Sequence, residues 1–214
     1  MNLTFDPLPR NGDRMNPRFL FDFASPNCYL AHKLIPGIEA RTGVTFDYVP
    51  VLLGGLFKLS GNQAPMLAFA GIPNKIAYEN LEFRRYMARH NIDRFQMNPH
   101  FPVNTLMLVR GMVAAEMEGV LPAYVEAGLH YMWEAPRKMD DAATLTATLA
   151  EAGLPADRLM ARAQDQDVKD RLSANTNAAY AAGAFGLPSF LVGDDLWFGK
   201  DRLADVEAAI TAAG

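Results

Sequence analysis

A serine stands where a buried strand is expected to pass into a helix, at Ser25 in the run Phe-Asp-Phe-Ala-Ser-Pro. The unpaired N–H groups at a helix start, together with the helix dipole, favour an anion at such a turn. The Ser25 hydroxyl is therefore a candidate donor to a thiolate or an oxyanion. Serine before proline is also a common helix start, in which the hydroxyl accepts from the N–H of Cys28. The spacing alone leaves both interpretations open.

Cys28 is the one cysteine of the chain and lies three residues after Ser25. The Ser-x-x-Cys spacing is similar to the Cys-x-x-Cys of redox enzymes, but dithiol exchange needs a second cysteine. As the third residue of a helix, Cys28 is expected to point inward and to act as a small hydrophobic side chain. The functional alternative is a reactive thiol whose pKa is lowered by the helix N-terminus.

A Gly-Leu-Pro run at residues 186–188 precedes another predicted strand. Proline there removes a ladder donor, which predicts a cis peptide bond and backbone groups free for a peptide-like ligand; a tight entry to the strand is the alternative. On their own, Asn62 indicates a turn, Lys200 a surface charge and Asp201 a helix N-cap. The four histidines lack metal-ligand spacing, so no metal site is predicted.

The elements that must position these side chains follow from apolar periodicity. Residues 18–23 predict a buried strand, a helix runs from Ser25 to Gly43, and residues 44–51 alternate as a second strand. A crossover of this length implies parallel strands with a right-handed connection. Further helices are predicted at residues 74–90, 103–118, 121–134, 140–152, 155–163 and 165–182.

The C-terminal part returns to strands. Residues 189–192 and 196–198 predict a hairpin, and Asp201 is expected to cap a final helix that ends near residue 213. The order β-α-β, helical block, α-β-β-α predicts an α/β protein with a thioredoxin-like core and a large inserted helical domain. The core is assigned to 18–58 and 165–214, the insert to 59–164, and an N-terminal extension to 1–17.

Composition narrows the function classes. The 214 residues are half hydrophobic and carry a net charge of −4, which suits one compact protein and excludes the basic footprint of a nucleic-acid binder. A single cysteine allows no intrachain disulfide. Residues 1–15 lack the apolar region of a secretory signal, and no apolar run is long enough for a membrane span. We therefore expect a cytoplasmic protein with neither a membrane nor a nucleic acid as partner.

Beyond these signals, the chain resembles one family along residues 18–212. It is similar to the 2-hydroxychromene-2-carboxylate isomerases and the kappa-class glutathione transferases, in the DsbA-like branch of the thioredoxin superfamily. Each matching piece is short, but the ordered set is specific. The pieces are residues 21–31, 53–57, 60–63, 73–75, 102–104, 183–190 and 198–202, with Tyr78 and Arg85.

The resemblance implies a glutathione site. Ser25 looks like the catalytic serine whose hydroxyl contacts the glutathione sulfur, and Asn62 looks like the asparagine that helps to hold the tripeptide. Leu187, before Pro188 at the cis bond, looks like the residue whose backbone pairs with the cysteinyl part. The γ-glutamyl end would lie near the residues that follow strand 196–198, which are Lys200 and Asp201.

The resemblance also implies a reaction and a substrate class. Glutathione would act as a catalytic cofactor in the cis-trans isomerisation of a hydroxychromene carboxylate, within bacterial aromatic hydrocarbon catabolism. The small aromatic carboxylate would sit between the core and the helical block, with Lys75 at its carboxylate and Tyr78 and Asn104 nearby. A homodimer is the family expectation.

Two departures from the family pattern leave alternatives open. Cys28 replaces the second serine of the usual Ser-Pro-x-Ser opening, and Lys200 replaces the serine of kappa transferases, which puts the γ-glutamyl contact of Lys200 in doubt. A kappa-type transferase shares the thiolate site and is the nearest alternative function. A DsbA-like oxidoreductase and a non-catalytic glutathione- or peptide-binding module are the others.

Overall fold

The computed structural model describes residues 16–213, and its centre is one mixed sheet of four short strands. The strand order is β2-β1-β3-β4; β1 pairs parallel with β2 and antiparallel with β3, which pairs antiparallel with β4. The predicted parallel pair and hairpin are therefore present. The strands are β1 Arg18–Phe21, β2 Asp47–Pro50, β3 Ser189–Val192 and β4 Asp195–Phe198.

The first helix forms where its capping residues predict it. Helix α1 spans Pro26–Thr42 with Ser25 as N-cap. Gly43 ends it in the left-handed conformation, at φ 71°, and donates its N–H to the Glu39 carbonyl. Glycine adopts this backbone region without the steric cost of a Cβ atom. The crossover β1-α1-β2 thus carries Ser25 to the edge of the sheet where β1 ends.

The helical part lies between β2 and β3, and α5 packs against α6, α8 and α9. Five helices of this part, and α9 after them, fall within a few residues of the predicted ranges. The helices are α2 Leu53–Ser60, α3 Pro65–Ala68, α4 Pro73–Arg89, α5 Leu106–Met117, α6 Leu121–Trp133, α7 Ala142–Glu151, α8 Ala156–Arg162 and α9 Gln166–Ala181. Among residues 16–213, no helix has the length and apolar character of a membrane span.

Helices α2 and α3 have no counterpart in the prediction. Helix α2 begins with Leu53 and two glycines, which are poor helix formers, and it has no side-chain cap of its own. Its first N–H instead donates at 2.7 Å to Oδ2 of Asp22, the residue that follows β1. Such a helix is specified by a tertiary contact, which local sequence cannot reveal.

The helical part is anchored to the sheet through the residue that follows β1. The Trp133 indole N–H donates to the Phe23 carbonyl at 3.0 Å, and Trp133 is fully buried. Phe23 also packs edge-on against Phe21. At Gly128 in α6 a Cβ atom would overlap the Phe23 ring, so glycine allows this close approach. The chain just before Ser25 is therefore held firmly in the core.

The expectation that Asp201 caps the final helix is wrong. Asp201 lies inside a short 3-10 turn, Lys200–Arg202, and helix α10 spans Leu203–Ala213. The Asp201 carboxylate binds the Lys200 ammonium at 2.9 Å instead of a helix N–H. The domain boundaries stay predictions, with residue 58 inside α2. Of the extension predicted at 1–17, residues 1–15 lie outside the described residues.

Candidate functional site

Ser25 occupies the turn between β1 and α1 and is 5% exposed. Its Oγ accepts from the Cys28 N–H at 3.3 Å, so the capping interpretation is confirmed. The same hydroxyl donates its proton to the Leu187 carbonyl at 3.0 Å. The two interpretations are thus compatible: the lone pairs cap α1, while the proton points to the segment before β3.

That segment has the geometry predicted for it. The Leu187-Pro188 peptide bond is cis. Leu187 is 5% exposed, and within residues 16–213 its N–H forms no hydrogen bond. Its carbonyl accepts only the Ser25 proton in the same range. A buried N–H without an acceptor is costly unless a ligand or water accepts from it, and a carbonyl oxygen has two lone pairs. Leu187 therefore offers one donor and one acceptor to an amide.

Asn62 reaches the same segment from the turn between α2 and α3. Its side-chain amide donates to the Phe185 carbonyl at 2.8 Å. The Phe185 ring packs against Phe198 in β4, with ring centroids 4.5 Å apart. Ser25 and Asn62 therefore bond to residues only two apart, although 37 positions separate them in the chain. The structure brings these two predicted site residues to one loop.

Lys200 and Asp201 adjoin this loop through the backbone. The Gly199 N–H donates to the Pro188 carbonyl at 2.9 Å. The Lys200 side chain is 11% exposed, and its ammonium lies 4.6 Å from the Tyr86 ring centroid. The Tyr86 hydroxyl donates to the Lys200 carbonyl at 3.2 Å, and burial raises the pKa of Tyr86. Lys200 is thus a packed side chain rather than the surface charge that its sequence context indicates.

The three predicted substrate residues are not joined to this group. The Lys75 ammonium lies 3.5 Å from the Phe69 ring centroid, and Tyr78 is 57% exposed. Asn104 Oδ1 accepts from the Leu106 N–H at 3.1 Å. Among residues 16–213, no hydrogen bond links any of the three to the Ser25 loop. Their substrate role stays a prediction.

Asp22 is a site residue that sequence reasoning missed. It is fully buried, and its carboxylate accepts three hydrogen bonds. Oδ1 receives the Ala24 N–H at 2.9 Å and the Thr105 hydroxyl at 2.7 Å, and Oδ2 receives the Leu53 N–H at 2.7 Å. Burial raises the pKa of Asp22 to about 6, against the opposing effect of these bonds. The available signal is a lone aspartate in an apolar strand, three residues before Ser25.

The three donors to Asp22 lie at the starts of three helices. Ala24 immediately precedes the N-cap of α1, Leu53 is the first residue of α2, and Thr105 is the N-cap of α5. Helix N-termini carry partial positive charge. The Leu53 N–H at the start of α2 and the two other donors favour the ionised form of Asp22 and partly offset the effect of its burial.

Cys28 is enclosed and unreactive by its surroundings. It is fully buried, and burial raises the pKa of its thiol to about 12. A thiol in this state carries almost no thiolate at neutral pH. These observations favour the interpretation of Cys28 as a small hydrophobic side chain of α1.

A cavity of about 700 Å³ opens elsewhere, at the outer edge of β2. Its wall includes His32, whose ring nitrogens bind the Tyr48 hydroxyl at 2.7 Å and the Glu126 carboxylate at 2.8 Å. The imidazole is thereby fully paired. Neither Ser25 nor Leu187 lines this cavity, so it is separate from the site described above.

Comparison with known families identifies the family of this chain. A family model described as a DSBA-like thioredoxin domain matches residues 18–211. The chain belongs to this DSBA-like thioredoxin family. Membership confirms the predicted thioredoxin-like α/β fold with its helical insert.

Two proteins with curated names resemble this DSBA-like chain over nearly its whole length. The 2-hydroxychromene-2-carboxylate isomerase of Sphingobium xenophagum is 27% identical over 198 residues, which cover 89% of this chain and 95% of that protein. Glutathione S-transferase kappa 1 of Homo sapiens is 26% identical over 215 residues, covering 92% and 89%. These names confirm the resemblance found in the sequence.

A solved structure supports the fold of this DSBA-like chain. A 2-hydroxychromene-2-carboxylate isomerase superposes with a TM-score of 0.78 at 24% identity, and the match covers 92% of this chain and 95% of that one. A probable DsbA oxidoreductase from Streptomyces coelicolor superposes with a TM-score of 0.64 at 21% identity, covering 92% and 89%. At these identities the likeness is one of fold.

Proposed function

We propose that this chain is a glutathione-dependent cis-trans isomerase of the 2-hydroxychromene-2-carboxylate type. The observation that carries the proposal is the bond between the Ser25 hydroxyl and the Leu187 carbonyl, which joins a helix start to the loop of cis Pro188. The similarity to an isomerase with that name, over 89% of the chain, supports the reaction class.

The residues around Leu187 fit a glutathione tripeptide. The Leu187 N–H has no partner within residues 16–213, and its carbonyl has only the Ser25 proton. A cysteinyl residue has the amide N–H and carbonyl that would pair with both. When its N–H takes over the Leu187 carbonyl, the Ser25 proton becomes free to turn toward the sulfur. One exchange of partners thus satisfies every group.

The remaining predicted contacts suit the charges of the γ-glutamyl end. Its ammonium needs a carboxylate, which Asp201 offers, and its carboxylate needs a cation or N–H donors. Lys200 is held against Tyr86, adjacent to the backbone that bonds to Pro188. The Asn62 amide bonds the Phe185 carbonyl and is exposed, so it is the candidate for a further contact to the tripeptide.

Ser25 and the helix starts behind it would make the bound thiol acidic. A hydroxyl that donates to a thiolate stabilises the charged form, and each unit of pKa lowering needs only about 1.4 kcal/mol. When bound, glutathione would supply a thiolate that adds to the conjugated carbon of the substrate and leaves after rotation about the resulting single bond. Ser25 holds the charge at the start and at the end of the cycle.

The substrate would be a small aromatic carboxylate, as in aromatic hydrocarbon catabolism. Lys75 is the candidate for its carboxylate, because the Lys75 ammonium contacts the Phe69 ring and forms no ion pair within residues 16–213. Exposed apolar side chains surround that segment, including Leu67 at 65% and Ile72 at 53%. A cytoplasmic location and a homodimer complete the proposal.

A kappa-type glutathione transferase is the second candidate, because human glutathione S-transferase kappa 1 is similar over 92% of the chain. A transferase would use the same Ser25 site and release the conjugate as product. The two functions therefore differ in whether glutathione is consumed.

An absorbance time course tests the proposal. Purified enzyme is mixed with 2-hydroxychromene-2-carboxylate, with and without glutathione, and total free thiol is measured at the end. Conversion only with glutathione, with no loss of thiol, is the expected result. Conversion that consumes thiol would support the transferase, while conversion without glutathione would refute the thiol site.

Cys28→Ser is expected to retain at least about half of the wild-type turnover. The buried Cys28 thiol stays protonated, so it has no chemical role to lose, and serine is of similar size. Burying a hydroxyl in its place should cost about 1–2 kcal/mol of unfolding free energy. Initial rates and urea unfolding measure the two effects, and an inactive but folded Cys28→Ser protein would restore the reactive interpretation of Cys28.

A further inference from the structure

We infer that Asp22 is a positioning residue of the thiol site: its buried carboxylate ties the turn that carries Ser25 to the first residues of α2 and α5, most strongly when ionised. The inference rests on the proposed glutathione site for its functional meaning. Asp22 reaches Ser25 only through the backbone, since the Ser25 N–H donates to the Asp22 carbonyl at 3.3 Å.

Each hydrogen bond to the carboxylate fixes a different part of the site. The Ala24 N–H holds the turn directly before Ser25. The Leu53 N–H holds the start of α2, the helix that ends two residues before Asn62. The Thr105 hydroxyl holds the start of α5. One carboxylate therefore links the segments that carry two of the predicted glutathione contacts, Ser25 and Asn62.

Helices α2 and α5 differ in how their first N–H groups are bound. Helix α2 has no side-chain cap of its own, and the N–H of its first residue donates to Asp22. In α5 the first N–H, that of Leu106, donates to Asn104 Oδ1, while the N-cap side chain makes no capping bond. The hydroxyl of Thr105, the N-cap of α5, donates to Asp22 instead of accepting from its own helix. α7, remote in sequence from these segments, is capped locally, with Asp141 accepting from the Thr144 N–H at 2.9 Å. Asp22 thus accepts the first N–H of α2, which lacks a cap of its own, and holds the N-cap side chain of α5.

The ionised form of the carboxylate makes the stronger link. All three partners act as donors, and hydrogen bonds to an ionised acceptor are roughly twice as strong as neutral ones. Protonation of the carboxylate adds a hydrogen that needs an acceptor, although all three neighbours are donors. The Thr105 hydroxyl would have to rotate to accept it. The titratable group that faces Asp22 within residues 16–213 is the Cys28 thiol, which is neutral because burial raises its pKa to about 12.

The pH range of the effect follows from the burial of Asp22, whose pKa is raised to about 6. Below that pH the three bonds weaken together, and the Ser25 turn loses its fixed distance to α2. Ligand affinity should therefore fall as the pH is lowered from 7 to 5, even for a ligand that carries no ionisable thiol.

S-methylglutathione is the probe that isolates this effect, because its sulfur cannot ionise. Its Kd is measured by calorimetry at pH 5, 6 and 7 with the full-length protein. For the wild type we expect binding at least about fivefold weaker at pH 5 than at pH 7. For Asp22→Asn we expect binding about tenfold weaker than wild type at pH 7 and the same within about twofold at pH 5.

Three further variants separate positioning from general destabilisation. Asp141→Asn removes another helix N-terminal carboxylate and should keep the wild-type affinity and pH profile. His90→Gln removes an imidazole that packs 4.4 Å from the Tyr86 ring, near Lys200. This variant should show the same loss of affinity between pH 7 and pH 5 as the wild type. Thr105→Val removes one donor from ionised Asp22, which raises its pKa. The pH at which half of the affinity change has occurred should therefore rise by about half a unit or more.

The backbone amides give a readout that needs no ligand. The Ala24 and Leu53 amide resonances should shift with one midpoint near pH 6 in wild type and stay constant in Asp22→Asn. Amides that do not titrate, or an Asp22→Asn protein that binds like wild type, would overturn the inference. Wild-type protein that fails to bind S-methylglutathione at any pH, while the amides titrate, would instead refute the proposed function and leave the Asp22 link intact.

Discussion

Ser25→Ala is expected to lower the kcat of the glutathione-dependent isomerisation about a hundredfold, while the Kd for glutathione changes by less than about threefold. In the proposed site the Ser25 hydroxyl would contact only the sulfur and stabilise charge there, whereas Asn62, Leu187 and Asp201 would hold the tripeptide. Loss of one donor to a developing anion typically costs about 10²–10³ in rate. Initial rates at saturating substrate and calorimetry with glutathione measure the two quantities.

Ser25 also caps α1, so the variant series must separate stability from catalysis. Ser25→Gly is the matched control, because glycine is an acceptable N-cap whose cost is only a few tenths of a kcal/mol. It should lose as much turnover as Ser25→Ala while unfolding like wild type. Ser173→Ala, on the exposed face of α9, should change neither. Equal losses in kcat and in glutathione affinity for Ser25→Ala would contradict the assignment, and so would an unchanged rate.

The second large effect is on stability, through Asp22. The pKa of this carboxyl is about 6 in the folded protein and 3.8 without burial, so the folded protein binds the proton more tightly. As the pH rises through this window the unfolded chain releases its proton first, and the folded state loses stability until Asp22 is also ionised. The free energy of unfolding should therefore fall by about 2 kcal/mol between pH 4 and pH 7 on account of Asp22.

Other carboxyls titrate in the same range, so the variant difference is the informative quantity. Urea unfolding of wild type and Asp22→Asn, followed by far-ultraviolet circular dichroism at several pH values, measures it. The free energy of unfolding of the wild type should decline relative to that of the variant by about 2 kcal/mol over that interval. Asp141→Asn should run parallel to wild type there, because hydrogen bonds from Thr144 lower the pKa of Asp141. Parallel curves for wild type and Asp22→Asn would contradict the prediction.

Much of the fold was predictable because its signals are local. The Ser-Pro start and the glycine at the end of α1 fix that helix by capping and backbone preference, and both stand where the pattern predicts. The proline at the entrance to β3 left a cis bond and a tight strand entry as alternatives, and the structure has the cis bond. Ser25 became a candidate for the same reason, since one turn contains both its strand and its helix.

What escaped prediction depends on contacts between distant segments. Asp22 meets Leu53 across 31 positions and Thr105 across 83, so its three bonds leave no periodic trace in the sequence. Helix α2 is missed for the same reason, because its first N–H donates to the carboxylate of Asp22, which is distant in sequence. Asp201 misleads in the opposite way: it has the residue type of an N-cap, but the Lys200 ammonium takes its carboxylate.

The bond between Ser25 and Leu187 also bears on which thiols the proposed site accepts. An incoming sulfur must draw the Ser25 proton away from the Leu187 carbonyl, which is then left without a donor. A peptidyl thiol repairs the loss with its own amide, whereas dithiothreitol or 2-mercaptoethanol has no amide to offer. An unpaired buried carbonyl costs about 1–3 kcal/mol, enough to disfavour small thiols roughly ten- to a hundredfold. If the proposed site is correct, the bond from Ser25 to Leu187 would by itself select against simple thiols.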